Sequence, residues 1–265
     1  MATQMPVPRK ITWHETSQSG PCALTDLMIW SGVGNNEINL SAMPDDRDKW
    51  KLGALTREGV GAGEFNGLTW IAWTATTNQL KITTTADPAK KVTLGENSPL
   101  GVALAAFNGY LYLAWVGTNV VNPTLNVIRS ADGRHWRDKV TFDETSKDRP
   151  ALAVFKNQLY LAWKGTGPGR INIMGSPDGR HFGPKITLDE LANGGPALAA
   201  FNNQLYMAWP GMSDLSLASS ADGINWSPKT YFKESSNQSV ALTVIGPNLV
   251  YCWTGMDSRL NLMYL

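Results

Sequence analysis

The chain has 265 residues, 43% of them hydrophobic, with 25 Gly and 15 Pro, which is enough apolar mass for a large core and enough turn formers for many short strands. Its 23 basic residues against 22 acidic ones leave a formal charge of +1, which removes the electrostatic case for nucleic acid or an anionic membrane as partner. No apolar run approaches the length of a membrane span, so membrane insertion is not expected.

In chain order, the opening "MATQMPVPRK" lacks the apolar stretch of a secretory signal, which implies a cytoplasmic protein or export by another route. The next segment, "KITWHETSQSGPCAL" from Lys10, aligns with "KVTFDETSKDRPAL" and "KITLDELANGGPAL" farther along. Beyond it one unit returns six times, anchored on Trp30, Trp73, Trp115, Trp163, Trp209 and Trp253, with a period of about 42–48 residues. Such a period without helical patterning predicts an all-β, six-bladed β-propeller spanning residues 1–265 as one domain, with four antiparallel strands per blade.

Within the fifth unit the strands are expected over Pro196 to Phe201, Leu205 to Trp209, Leu215 to Ser219 and Lys229 to Phe232. The first two are nearly continuous apolar runs, as strands buried between neighbouring blades require. Asn-Gly, as at Asn108 and Gly109, and Asn-Gln mark the turn joining them. The chain ends on a third strand, Leu260 to Leu265, so residues near Ile11 to Glu15 are expected to supply the outer strand of the last blade and close the ring.

Asp132-Gly133, Asp178-Gly179 and Asp222-Gly223 each fall between the third and fourth strands, followed by Trp136, Phe182 or Trp226. This pattern resembles the Asp-box turn of sialidase-like propellers, though it is one residue shorter. In that family the turn faces away from the catalytic side, so the resemblance implies a hairpin, not a reaction centre. His14, His135 and His181 show no metal-ligand spacing, and no metal or cofactor is expected. Cys22 and Cys252 stand where other units have Ala151 and Ala162, and so read as small buried residues, with a bond between the first and last blades as the less expected alternative.

The loops after the second strands vary over this constant frame, and together with the fourth-to-first connections they form the expected binding face. There Glu15, Glu96, Glu144, Glu190 and Glu234 recur at one position, with Ala54 in the second unit. Either they accept hydrogen bonds from sugar hydroxyls or they cap backbone amides at blade junctions. Asn39, Asn126, Asn172 and Asn261 recur at the start of the third strand, as groove residues or as internal partners of the backbone. Trp30, Trp115, Trp163, Trp209 and Trp253 are expected to fill the core and offer at most an edge for stacking, while Arg149 and Arg170 lie in loops of the same face.

The whole chain resembles bacterial and fungal β-propeller lectins in architecture, which implies glycans or glycoconjugates as partners, bound at several similar sites on one face, without catalysis. Two other readings stay open. A sialidase-like glycosidase would draw on Arg57, Arg149, Arg170 and Arg259 with Asp148, Asp214 or Asp257 as acid. Its Arg-Ile-Pro motif is absent, and Tyr112, Tyr160 and Tyr206 are repeat equivalents, not one unique nucleophile. A protein-binding scaffold is the third reading, since polar loops on a closed ring serve either purpose.

Overall fold

The computed structural model describes residues 8–119 and 121–265. It is built entirely of strands, with no helix among the described residues. Arg9–Thr16 forms β1. Blade 1 follows as Cys22–Leu24 (β2), Leu27–Ser31 (β3), Glu37–Ala42 (β4) and Trp50–Leu55 (β5). Blade 2 comprises Gly61–Phe65 (β6), Leu68–Thr74 (β7), Gln79–Thr84 (β8) and Val92–Asn97 (β9), and blade 3 Ala103–Phe107 (β10), Tyr110–Val116 (β11), Thr124–Ser130 (β12) and Trp136–Thr145 (β13). Blade 4 contains Ala151–Phe155 (β14), Gln158–Lys164 (β15), Arg170–Ser176 (β16) and Ile186–Leu191 (β17), and blade 5 Ala197–Phe201 (β18), Gln204–Pro210 (β19), Leu215–Ser220 (β20) and Thr230–Phe232 (β21). Blade 6 has Ala241–Ile245 (β22), Asn248–Thr254 (β23) and Arg259–Tyr264 (β24), and β1 completes it in the order β1-β24-β23-β22. The expected closure is therefore present, with Ile11 opposite Leu262 and Thr12 opposite Asn261.

The first-to-second turns differ in detail from expectation. Lys156 and Asn157, and Asn202 and Asn203, carry the positive φ angles, while Gln158 and Gln204 begin the next strand. Two left-handed residues in succession match the right-handed twist of a hairpin, which is why Asn occurs there so often. Cores form between blades: Leu111, Leu113 and Trp115 of blade 3 pack on Phe65, Ala72 and Ile82 of blade 2, for example.

The Asp-Gly hairpins are built as turns. Asp178 Oδ1 accepts the N–H groups of Arg180 and His181, each at 2.8 Å, and Asp132 and Asp222 repeat the arrangement. Gly179 is obligatory twice over. Its φ is +73°, and an added Cβ would collide with the Tyr112 ring of blade 3, whose hydroxyl donates to Asp178 O at 3.1 Å. Each hairpin thus docks one blade onto the preceding one.

The amide three residues on, with further donors in the turn, holds each of the three aspartates well below the usual carboxylate range. A depressed folded pKa contributes stability that is complete above the unfolded value of about 3.9 and is lost as pH falls through the folded one. Asp178→Ala should therefore lower the melting temperature at neutral pH, and the gap to wild type should close only on the strongly acidic side. A gap independent of pH would show that the carboxylate is not the source.

At the axis the outer strand of each blade returns inward through a recurrent turn. Ser17, Thr56, Ser98, Ser146 and Ser236 each donate a side-chain hydroxyl to the carbonyl two residues on. Three residues beyond them stand Gly20, Gly59, Gly101, Arg149 and Ser239, with Gly195 in blade 4's connection. Space explains the small residues. A Cβ on Gly20 would strike Ser239 O, and one on Gly195 would strike Arg149 O.

Candidate functional site

The anchor tryptophans set up one cross-strand arrangement in full in blades 3, 4 and 6 and in part in blade 1. Trp115 on β11 faces Asn126 on β12, which faces Thr141 on β13. The Thr141 hydroxyl donates to Asn126 Oδ1 at 2.7 Å, and the Asn126 amide donates to Thr124 O at 2.9 Å. Asn172 and Asn261 repeat both bonds, and Asn39 repeats the second with Glu37 O. All four asparagines are buried. Their amides serve the blade itself, which removes them from the groove in which the sequence reading set them as one option.

Among the described residues the recurrent glutamates cap no backbone amide. Each reaches across a junction to a lysine of the following blade: Glu15 to Lys49, Glu96 to Lys139, Glu144 to Lys185, Glu190 to Lys229 and Glu234 to Lys10, all at 2.6–2.7 Å. The lysine recurs in all six blades, and only Lys91 faces a junction that offers Ala54 in place of an acid. The pairs are partly exposed, so each contributes at most about 1 kcal/mol to stability. Their regular placement is more informative than their energy. Lys139 and Lys10 also lie 5.2 and 5.5 Å from the ring centres of Trp115 and Trp253, so an indole, an ammonium and a carboxylate meet at one point.

The anchors Trp30, Trp73, Trp115, Trp163, Trp209 and Trp253 are all essentially buried, as core residues. Between blades 4 and 5 the junction opens. A groove of about 180 Å³ is lined by Asp189 and Glu190 of β17 and by Trp209, Trp226, Pro228 and Lys229 of blade 5. Two local departures accompany the opening: β21 is only three residues long, following Pro228, and Ser216 and Tyr231 replace the Asn–Thr pair opposite Trp209. The Glu190 carboxylate holds the Lys229 ammonium above the usual lysine range. The indole N–H groups of Trp209 and Trp226, like those of Trp30 and Trp163, are buried without an acceptor among the described residues, whereas Trp136, the equivalent of Trp226 in blade 3, donates to Gly133 O at 3.2 Å. The aromatic residue after Asp222-Gly223 is thus a groove wall as well as a turn filler.

The arginines do not gather. Arg170 is held by Asp189 at 2.6 Å and Arg259 lies 3.9 Å from Asp257, while Arg57 is exposed. Arg149 leaves the rim altogether. Its guanidinium runs over Gly59 and Gly101 into the axis, where it donates to Val60 O at 3.0 Å, Pro21 O at 3.0 Å and Val240 O at 2.9 Å. It is 8% exposed and fills the end of the central channel. The inward course of the connection, from rim to axis, places it there.

No protein-family model and no curated protein matches the chain. Among solved structures it is similar to a mutant of the lectin of Aleuria aurantia in complex with Fucα1-6GlcNAc, with a TM-score of 0.68, 11% identity and coverage of 94% of this chain and 92% of that one. It is also similar to a luciferin-regenerating enzyme, at a TM-score of 0.58, 11% identity and coverage of 97% and 95%. A GH43_1 enzyme from Xanthomonas citri gives a TM-score of 0.50 at 12% identity, covering 77% and 86%. At these identities the likeness shows the fold alone, and a solved structure of the Aleuria aurantia lectin is itself described as a six-bladed β-propeller.

Proposed function

We propose that the chain is a non-enzymatic carbohydrate-binding protein whose sites lie at blade junctions, with the groove between blades 4 and 5 as the best formed. The observation that carries this reading is the meeting of two indole rings, Trp209 and Trp226, with the Lys229–Glu190 pair in one cleft. A sugar presents what such a cleft can engage: hydroxyl oxygens to accept from the ammonium, hydroxyl hydrogens to donate to the carboxylate, and a C–H face for an aromatic wall.

The solved lectin of Aleuria aurantia, which shares the fold, was determined with fucosides, and this supports glycans as the ligand class. Repetition of the Glu–Lys pair at five junctions supports several weak sites acting together on a clustered glycan surface. The glycosidase reading retains only likeness of fold, since Arg57, Arg149, Arg170 and Arg259 do not converge.

A glycan array tests the proposal, followed by calorimetry with the sugar it identifies. Glu190→Gln should weaken binding at the blade 4–5 groove at least tenfold, the loss of a charged hydrogen-bond partner of about 1.5–3 kcal/mol, while stability changes by less than about 1 kcal/mol. Glu144→Gln should remove a smaller share of total capacity. Release of free sugar from any array glycan would favour the hydrolase, and silence throughout would favour the scaffold.

A further inference from the structure

The axial mouth on the face of the fourth-to-first connections is a second polar cavity, distinct from the junction groove. It measures about 160 Å³, and its polar walls are Ser19, Glu58, Asp148, Arg149, Gln238 and Ser239, drawn from four connections. Three observations converge on it. First, Arg149 is a buried cation to which no acidic side chain pairs among the described residues, and its three hydrogen bonds all go to neutral carbonyls through Nη1 and Nη2. The Nε–H makes no hydrogen bond to the protein among the described residues. Second, Ser19 is 5% exposed, and its hydroxyl has no partner. Third, neither acid in the wall pairs with Arg149 among the described residues: Asp148 is held by Lys164 at 2.9 Å, and Glu58 makes no ion pair with the guanidinium.

A desolvated charge without a counter-charge is expensive, and a buried hydroxyl without a partner adds to the cost. One ligand class satisfies both. We propose that the axial mouth binds a small oxyanion, a carboxylate or an inorganic sulfate or phosphate, seated above the Arg149 guanidinium with the Ser19 hydroxyl as a second donor. The proposal is independent of the glycan reading. Only Arg149 among the six equivalent axial positions brings charge, so there is one such site per ring.

The test uses the full chain with sulfate, phosphate and acetate as probes against chloride at matched ionic strength, read by thermal denaturation and by the NMR signal of the Arg149 Nε–H. The expected result is a saturable rise in melting temperature with at least one probe, accompanied by a shift of that signal. Preference among the probes separates an inorganic ion from an organic acid. Ser19→Ala should weaken the apparent affinity severalfold, and Glu58→Gln, which removes a negative charge from the wall, should strengthen it severalfold. Arg149→Lys, which keeps the charge but loses the Nε–H, should weaken it further than Ser19→Ala. Sulfate stabilises many proteins without binding, so a linear, unsaturable response with an unmoved Arg149 signal overturns the site. Equal affinity in wild type, Ser19→Ala and Glu58→Gln overturns it too, whether or not the Arg149 variant folds.

Discussion

A chain that begins at Thr16 should fail to form a stable monomer. Loss of β1 leaves β24 as an open edge, with Leu262 and Asn261 deprived of their partners Ile11 and Thr12. It also removes Trp13, which is 2% exposed, donates from its indole to Pro44 O at 2.9 Å and packs edge-on against Trp30 at 5.8 Å. Truncation of a buried Trp alone costs about 3–5 kcal/mol, against a total domain stability of about 5–15 kcal/mol. Adding the lost ladder bonds brings the deficit close to the whole, and the bare edge invites pairing between copies. Circular dichroism melts and size-exclusion chromatography check this. A monomer with an unchanged melting temperature would contradict the closure, and Trp13→Ala isolates the side-chain part of the effect. Residues 1–7, which this truncation also removes, lie outside the described residues.

The second large effect is expected at the axis. Arg149→Met keeps much of the volume but withdraws the donors from Val60 O, Pro21 O and Val240 O, which belong to three different blade connections. Each buried carbonyl left without a partner costs about 1–3 kcal/mol, so a loss of about 3–5 kcal/mol in denaturant midpoint analysis is expected, with relief from removing the desolvated charge setting the upper end. Arg170→Met, by contrast, breaks one exposed pair with Asp189 and should cost less than about 1 kcal/mol. Equal losses in the two variants would mean that the axial guanidinium is not a structural centre.

These two expectations show what could be read in advance. The blade count and the closure were legible because Trp, Asp-Gly and the Lys-Ile-Thr segment repeat at a period that only stacked sheets explain. The recurrent glutamates were legible as positions, yet their partners were not. Lys10, Lys49, Lys139, Lys185 and Lys229 stand five residues before an acid or Ala54 in the same segments, but each pairs with the glutamate of the preceding blade. Partner choice is a property of the closed ring, and no single repeat contains it. Arg149 was visible as a departure from glycine, but only the radial course of its connection turns it from the rim to the axis. Trp226 was assigned to its turn, because nothing local distinguishes it from Trp136, whose indole finds a carbonyl. The departures in blade 5, Ser216 and Tyr231, were present in the sequence as breaks in the repeat. Their consequence, an opened junction, depends on what the missing Asn–Thr pair would have closed.

The most direct measurement is a titration of the indole Nε1–H signals by two-dimensional NMR, using whichever monosaccharides the glycan array identifies. The account predicts that the signals of Trp209 and Trp226 shift as a sugar packs against their rings, with Trp226→Phe assigning one of them and weakening binding. Trp73 should stay unmoved, because its junction offers Ala54 in place of Glu. Movement of Trp73 while Trp209 and Trp226 remain still, or a bound sugar that shifts no indole at all, would contradict the junction site.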